Sequence, residues 1–254
     1  MLLTSDQMAG VNEKQKRAEE SIGDLNSQIV AFLKERPEGG LSHDKQKAAK
    51  EFADWYGKRI VPLRFGVIAG EVINHLRSSL DHIAWMLSSE EYRRDYPTRI
   101  GFPIFTVDPV AVGDKDKIAS YNRQVKGITH SGALDLIKQL QPYNTPHLAD
   151  DPLAILHGLN NEDKHHTLIL ITAPWKLTMT IPTAAFRTIA IIGLDDKKEW
   201  LDPAPAAAQP KLEFAPYIAF AQIGGWKGEA VIPVLTHLFN TVRDDVRMFS
   251  ELTI

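Results

Sequence analysis

The feature that most constrains this chain is a change of hydrophobic period at "NNEDKHH", residues 160–166. Before it, apolar residues recur three and four positions apart, the spacing that places them on one stripe of a helix. After it come "TLILITA", "KLTMTIP", "FRTIAIIGL" and "KLEFAPYIAFAQI", β-branched and aromatic runs separated by turn residues. Such runs suit the pleated surface of a sheet. The expected fold class is α+β: N-terminal helices, then an antiparallel sheet of about four strands, then a C-terminal helix. No helical crossover interrupts the strand run, which argues against a parallel sheet. The chain reads as a single domain over 1–254, helical over about 11–160, with the sheet and closing helix over about 165–252.

The first helix is expected at 11–36, carrying Ile22, Leu25, Ile29, Phe32 and Leu33 on one face, and Pro37 with Gly39 and Gly40 stops it. "KEFADWYGKRIVPL" fits either a short strand or a helix end. A second helix runs from about Gly66 to Leu87. Residues 88–130, rich in proline and charge, read as irregular connection with a short helix at 114–126. Ser131 is a plausible N-cap for a helix at 132–141, and Asp150 or Asp151 for one at 152–160 that starts with Pro152. "LDPAPAAAQP" reads as an exposed loop and "GGWKGE" at 224–229 as a turn. The last helix spans Pro233 to about Leu252.

At 44% hydrophobic and 24% charged residues, the composition is that of a globular protein. A net charge of −3 argues against a surface tuned as a whole to polyanions, although a local basic patch is compatible with it. Without cysteine there is no disulfide, thiolate metal site or cysteine nucleophile. The opening "MLLTSDQMAG" lacks the basic region of a signal peptide, and no apolar run approaches the roughly 20 residues of a membrane helix. The expected location is cytoplasmic, with no membrane partner.

Chemistry concentrates in "INHLRSSLDHIAWML", residues 73–87. At about 100° per residue, Ile73, Leu76, Leu80, Ile83 and Leu87 share one face, while Asn74, Ser78, Asp81 and Trp85 line the opposite one. Arg77 and His82 flank that second stripe. Arg77 and Asp81 are one turn apart, so an ion pair between them is easy. The second polar segment is "HGLNNEDKHH", residues 157–166. The favoured expectation is that the two segments converge, and that Asn74, Asp81, Asn161, Asp163, Lys164 and His165 form one polar network in a structural or interaction module. A second alternative gathers His82, Asp81, Asp163 and His165 around a divalent metal. No established metal spacing supports that set, and no cofactor or metal is assigned.

Two resemblances attach to these motifs. "LRSSLDHIAW" at 76–85 followed by "NNEDKH" at 160–165, with "FPIF" at 102–105 and "QPYN" at 141–144, resembles a family of uncharacterised bacterial proteins; it implies element boundaries and no activity. Arg77, four residues, then His82 is similar to the motif of HEPN domains, helical modules many of which are metal-independent endoribonucleases. That similarity implies a homodimer acting on RNA, with His82 as acid/base and Arg77 stabilising phosphate charge. Five residues of regular helix separate the two side chains by about 140°. A single straight helix therefore does not aim both at one atom.

Overall fold

A computed structural model describes residues 3–166, 168, 170–180, 188–192, 211–221 and 228–252. Helix α1, Ser5–Lys34, starts earlier than its apolar stripe suggests because Thr4 and Gln7 form a capping box. The Thr4 hydroxyl accepts from the Gln7 N–H at 3.3 Å, and the Gln7 side chain accepts from the Thr4 N–H at 2.8 Å. Met8, Val11, Ala18, Leu25, Ile29 and Phe32 are its buried seam. Arg59 closes the far end, its guanidinium 3.5 Å from the Phe32 ring centre and donating to the Phe32 carbonyl at 2.6 Å.

The ambiguous "KEFADWYG" segment is helical. It forms α2, Lys45–Gly57, capped by Asp44. Pro62 then opens α3, Leu63–Leu87, whose Val72, Ile73, Leu76, Leu80, Ile83 and Ala84 are wholly buried. Helix α3 is the centre of the molecule and packs on α1, on α7 (Pro152–His165) and on α8 (Val231–Glu251). Between α3 and α7 lie α4 (Glu90–Asp95), α5 (Lys115–Val125) and α6 (Ser131–Gln139). The N-cap of α6 is His130, not Ser131: its Nδ1 accepts from the Ala133 N–H at 3.1 Å. Among the described residues, no helix is long and apolar enough to cross a membrane.

The expectation of an α+β fold with about four strands is corrected, because helices dominate and the described sheet is smaller. It holds β1 (Leu170–Thr180), β2 (Thr188–Ile192) and β3 (Lys211–Phe220), antiparallel in the order β2-β1-β3. The runs "TLILITA" and "KLTMTIP" are not two strands parted by a turn at "PW", because one strand continues through it. Register shifts between Ala173, opposite Tyr217, and Lys176, opposite Ala215, so two residues of β1 face one of β3. Such a bulge accommodates Pro174, which has no N–H to give to a ladder. Leu168, Leu170, Ile218 and Phe220 are buried where the sheet meets the helices, and the Tyr56 hydroxyl donates to the Tyr217 carbonyl at 3.2 Å. The "LDPAPAAAQP" loop and most of the "GGWKGE" turn lie outside the described residues.

An irregular stretch lies against the polar face of α3. Residues 100–106, "IGFPIFT", cross the surface of that helix as a strap, with Phe102 wholly buried and edge-on to Phe249 at 5.9 Å. Gln141, 1% exposed, clamps this strap: its Oε1 accepts from the Phe105 N–H at 3.0 Å, and its Nε2 donates to the carbonyls of Pro103 at 2.8 Å and Ile137 at 2.9 Å.

Candidate anion-binding cleft

Arg77 and Asp81 stand one turn apart on α3, and the strap lies directly over them. Arg77 Nη2 donates to Asp81 Oδ1 at 2.7 Å and to the Phe102 carbonyl at 2.6 Å. The Phe102 N–H donates to the same Asp81 oxygen at 2.9 Å. A closed ring of charge-assisted hydrogen bonds thus fixes the guanidinium against backbone. It uses one terminal nitrogen only. Arg77 Nη1 is buried and has no hydrogen-bond partner among the described residues.

Two open clefts meet at this side chain. The larger, about 590 Å³, is lined by Arg77, Asp81, Arg99, Gly101, Arg123 and Gln124, among others. The smaller, about 330 Å³, is lined by Arg77, Phe105, Lys117, Ser120, Gln124 and His157, among others. Arg99 lies over the Tyr96 ring at 4.7 Å, and Lys117 Nζ is 3.4 Å from Asp114 Oδ2 on the surface of α5. Among the side chains lining the two clefts, three arginines and a lysine stand against one carboxylate, Asp81. A local basic site therefore sits on a chain of negative net charge.

His157 does not add to that charge at neutral pH. Burial, then the Arg77 guanidinium, then Lys164 hold its imidazole below the usual range. Asn161 Nδ2 lies 3.0 Å from His157 Nε2, so the amide donates and the neutral ring carries its proton on Nδ1.

The helices α3 and α7 do converge and run antiparallel: Asp163 packs on Gly70, where a Cβ would come within 2.1 Å of its Oδ1, while His157 lies near Arg77. The expected six-residue network is nevertheless not one network. Asp81 is engaged by Arg77 and Phe102, and Gly70, where Asp163 sits, is eleven residues earlier on α3, or about 16 Å along the axis. Asn161 meets His157, whereas Asn74, Lys164 and His165 are exposed. Among the described residues, no hydrogen bond or ion pair joins these groups to Asp81. Burial raises the Asp163 carboxyl above its usual range.

Arg77 and His82 likewise part company, as their 140° offset requires. His82 turns toward α1: a Cβ at Gly10 would stand 2.8 Å from its Cε1, and its Nδ1 is buried without a partner among the described residues. Burial, then Lys14, lowers its pKa. His82 lines neither of the clefts that Arg77 lines. The alternative metal set is dispersed too, and among the described residues no three His, Asp or Glu side chains are placed to hold an ion.

Nothing in the sequence pattern singles out Arg99, Arg123 or Lys117, and Gln141 enters it only within "QPYN" at 141–144. Arg99 comes from one segment and Lys117 and Arg123 from α5, and all three look there like ordinary solvated residues. Gln141 carries a faint signal, an amide between an apolar helix and a proline. No family model, no curated protein and no solved structure matches the chain, so the two resemblances rest on their motifs.

Proposed function

We propose that this protein is a cytoplasmic binding module whose double cleft at Arg77 takes a phosphate-bearing small molecule. One observation carries the reading: a guanidinium locked in place through Nη2 lines two adjoining clefts whose other cations are Arg99, Arg123 and Lys117. Arginine is suited to this task because its planar fork matches phosphate oxygens and stays charged at all relevant pH. Its orientation is set before the ligand arrives, so little ordering remains to be done on binding.

RNA cleavage through Arg77 and His82 has less support, because His82 is packed on α1 and only Arg77 reaches the clefts. Calorimetric titration with inorganic phosphate tests the reading. Arg99 and Arg123 are exposed, so Arg99→Ala with Arg123→Ala should fold normally and weaken binding about tenfold or more, equivalent to roughly 1.4 kcal/mol. His82→Ala should leave the affinity unchanged. Equal binding by wild type and the double variant, or none at millimolar phosphate, would dispose of the proposal.

A further inference from the structure

We propose that a further cavity, beyond the end of the strap and outside the clefts at Arg77, binds a small organic cation, a primary ammonium ion on a short apolar chain. The cavity holds about 220 Å³ and shares no lining residue with either cleft. It is built by Asp108, Pro109 and Val110 of the loop that follows the strap, Tyr121 and Asn122 of α5, Lys138 of α6, and Tyr143 in the turn after α6. Such a volume is below the roughly 300–1,000 Å³ of drug-sized sites and suits a ligand of a few heavy atoms.

Hydrogen-bond acceptors in this cavity are held in place and left unused. Asp108 Oδ1 takes the Val110 N–H at 2.8 Å and the Ala111 N–H at 3.3 Å, a turn that fixes the carboxylate. Its Oδ2 has no hydrogen bond and no ion pair among the described residues. Tyr56, Tyr92 and Tyr217 each donate their hydroxyl to a backbone carbonyl, whereas the half-buried Tyr121 and Tyr143 make no such bond among the described residues. Phe105 of the strap packs edge-on to the Tyr121 ring at 5.8 Å and holds it in the wall.

Charge favours a cation. Burial first, then the Asp108 carboxylate, raises Tyr143 above the usual phenol range, and burial first, then Tyr143, raises Tyr121 to about 12. Both phenols therefore stay neutral at physiological pH, and Asp108 supplies the charge that reaches them. Lys138 is exposed, and its long stem lets the ammonium remain in water. A primary ammonium ligand brings three N–H donors to the free carboxylate and phenol oxygens and is attracted by aromatic ring faces, while Pro109 and Val110 offer apolar contact to its chain. A quaternary ammonium has no N–H to give and would leave those oxygens unpaired.

Ligand-detected NMR titration of the full chain with butylammonium, tetramethylammonium and butyrate tests the site. Butylammonium should bind at millimolar concentration, about tenfold more tightly than butyrate and about threefold or more above tetramethylammonium. Asp108→Asn keeps the oxygen that closes the turn and should weaken butylammonium about tenfold, and Tyr143→Phe keeps the ring and should weaken it about threefold. Lys138→Ala should not weaken it. Phosphate affinity should be the same in Asp108→Asn as in wild type, which separates this site from the clefts. Butyrate or tetramethylammonium binding as tightly as butylammonium overturns the assignment, as does unchanged butylammonium affinity in Asp108→Asn or no binding up to about 10 mM.

Discussion

Asp245 makes the stability of this protein depend on pH in a direction opposite to that of most acidic residues. It lies on the buried face of α8, 7% exposed, and its Oδ2 has no partner among the described residues. Burial first, then repulsion from Asp151 and Asp244, pushes its carboxyl up to about 7. Asp151 cannot relieve it: that side chain caps α7, taking the Ala154 N–H at 2.9 Å and the Thr145 hydroxyl at 2.7 Å. In the unfolded chain Asp245 titrates near 3.8. Between the two values the folded state keeps a proton that the unfolded state has lost. Stability therefore falls as pH rises from about 4 to about 7, then levels off. The span is about three pH units, worth about 4 kcal/mol in all at 1.36 kcal/mol per unit, of which about 3 kcal/mol falls between pH 4.5 and pH 8. Asp245→Asn removes the titrating group at nearly constant shape. Urea unfolding of both proteins at the two pH values isolates the effect, since other groups cancel in the difference. The variant should gain about 3 kcal/mol on wild type over this interval. A gain below about 1 kcal/mol would mean that Asp245 is ionised in the folded protein, and the packing argument for α7 against α8 would fail.

Gln141→Ala strips partners from the Phe105 N–H and the Pro103 and Ile137 carbonyls, and should cost about 2–4 kcal/mol in chemical denaturation while also weakening phosphate binding through the loosened strap. Unchanged phosphate affinity would separate the strap from the cleft. Gly127→Ala would place a Cβ 2.4 Å from Tyr92 Cδ1 and 2.9 Å from Ser88 Cβ, so overpacking should cost about 1–3 kcal/mol; a neutral result in the same assay would show that α4 shifts freely. Sulfate stays doubly charged between pH 7 and pH 5, whereas His157 gains its proton below the usual imidazole range. Sulfate affinity should accordingly rise about three- to tenfold as the pH falls, and His157→Gln should flatten that slope. A slope unaltered in the variant would place the titrating group elsewhere.

The helical core is readable because its information is periodic. The stripes of α1, α3 and α8 recur at three- and four-residue spacings; those of α3 and α8 are buried as expected, while in α1 Leu25, Ile29 and Phe32 are buried, Ile22 and Leu33 are partly so, and the helix starts six residues early. Helix α7 runs five residues past its expected end. "EDKHH" resembles the start of the strand region, yet Lys164 and His165 sit in the last turn, where cations complement the helix dipole. Helix α4 carries legible signals, a Ser89 cap with acids first and arginines last, but with a single buried residue, Tyr92, it offers no period to detect. Four β runs become three strands because a bulge, unlike a turn, leaves no distinct mark at "PW".

At the site, the Arg77–Asp81 pair follows from spacing alone, and so does the divergence of His82. The remaining contributors do not. Peptide groups of Phe102 hold the guanidinium, and side-chain identity says nothing about where backbone goes. Arg99 and Arg123 reach the cleft from segments 24 residues apart. Asp245 is within reach of sequence reasoning: it lies three residues after Val242, on the apolar stripe of its own helix.

The strap gives the arginine an anchor that is hard to mutate away. Replacing Phe102 by almost any residue changes packing but leaves the same amide and carbonyl in the chain; only proline deletes the donor. The following residue, Pro103, also confines Phe102 to extended backbone before the rest of the protein forms. Orientation at the heart of the cleft is thus written into main-chain chemistry, so the surrounding cations are free to vary and retune which ligand is accepted.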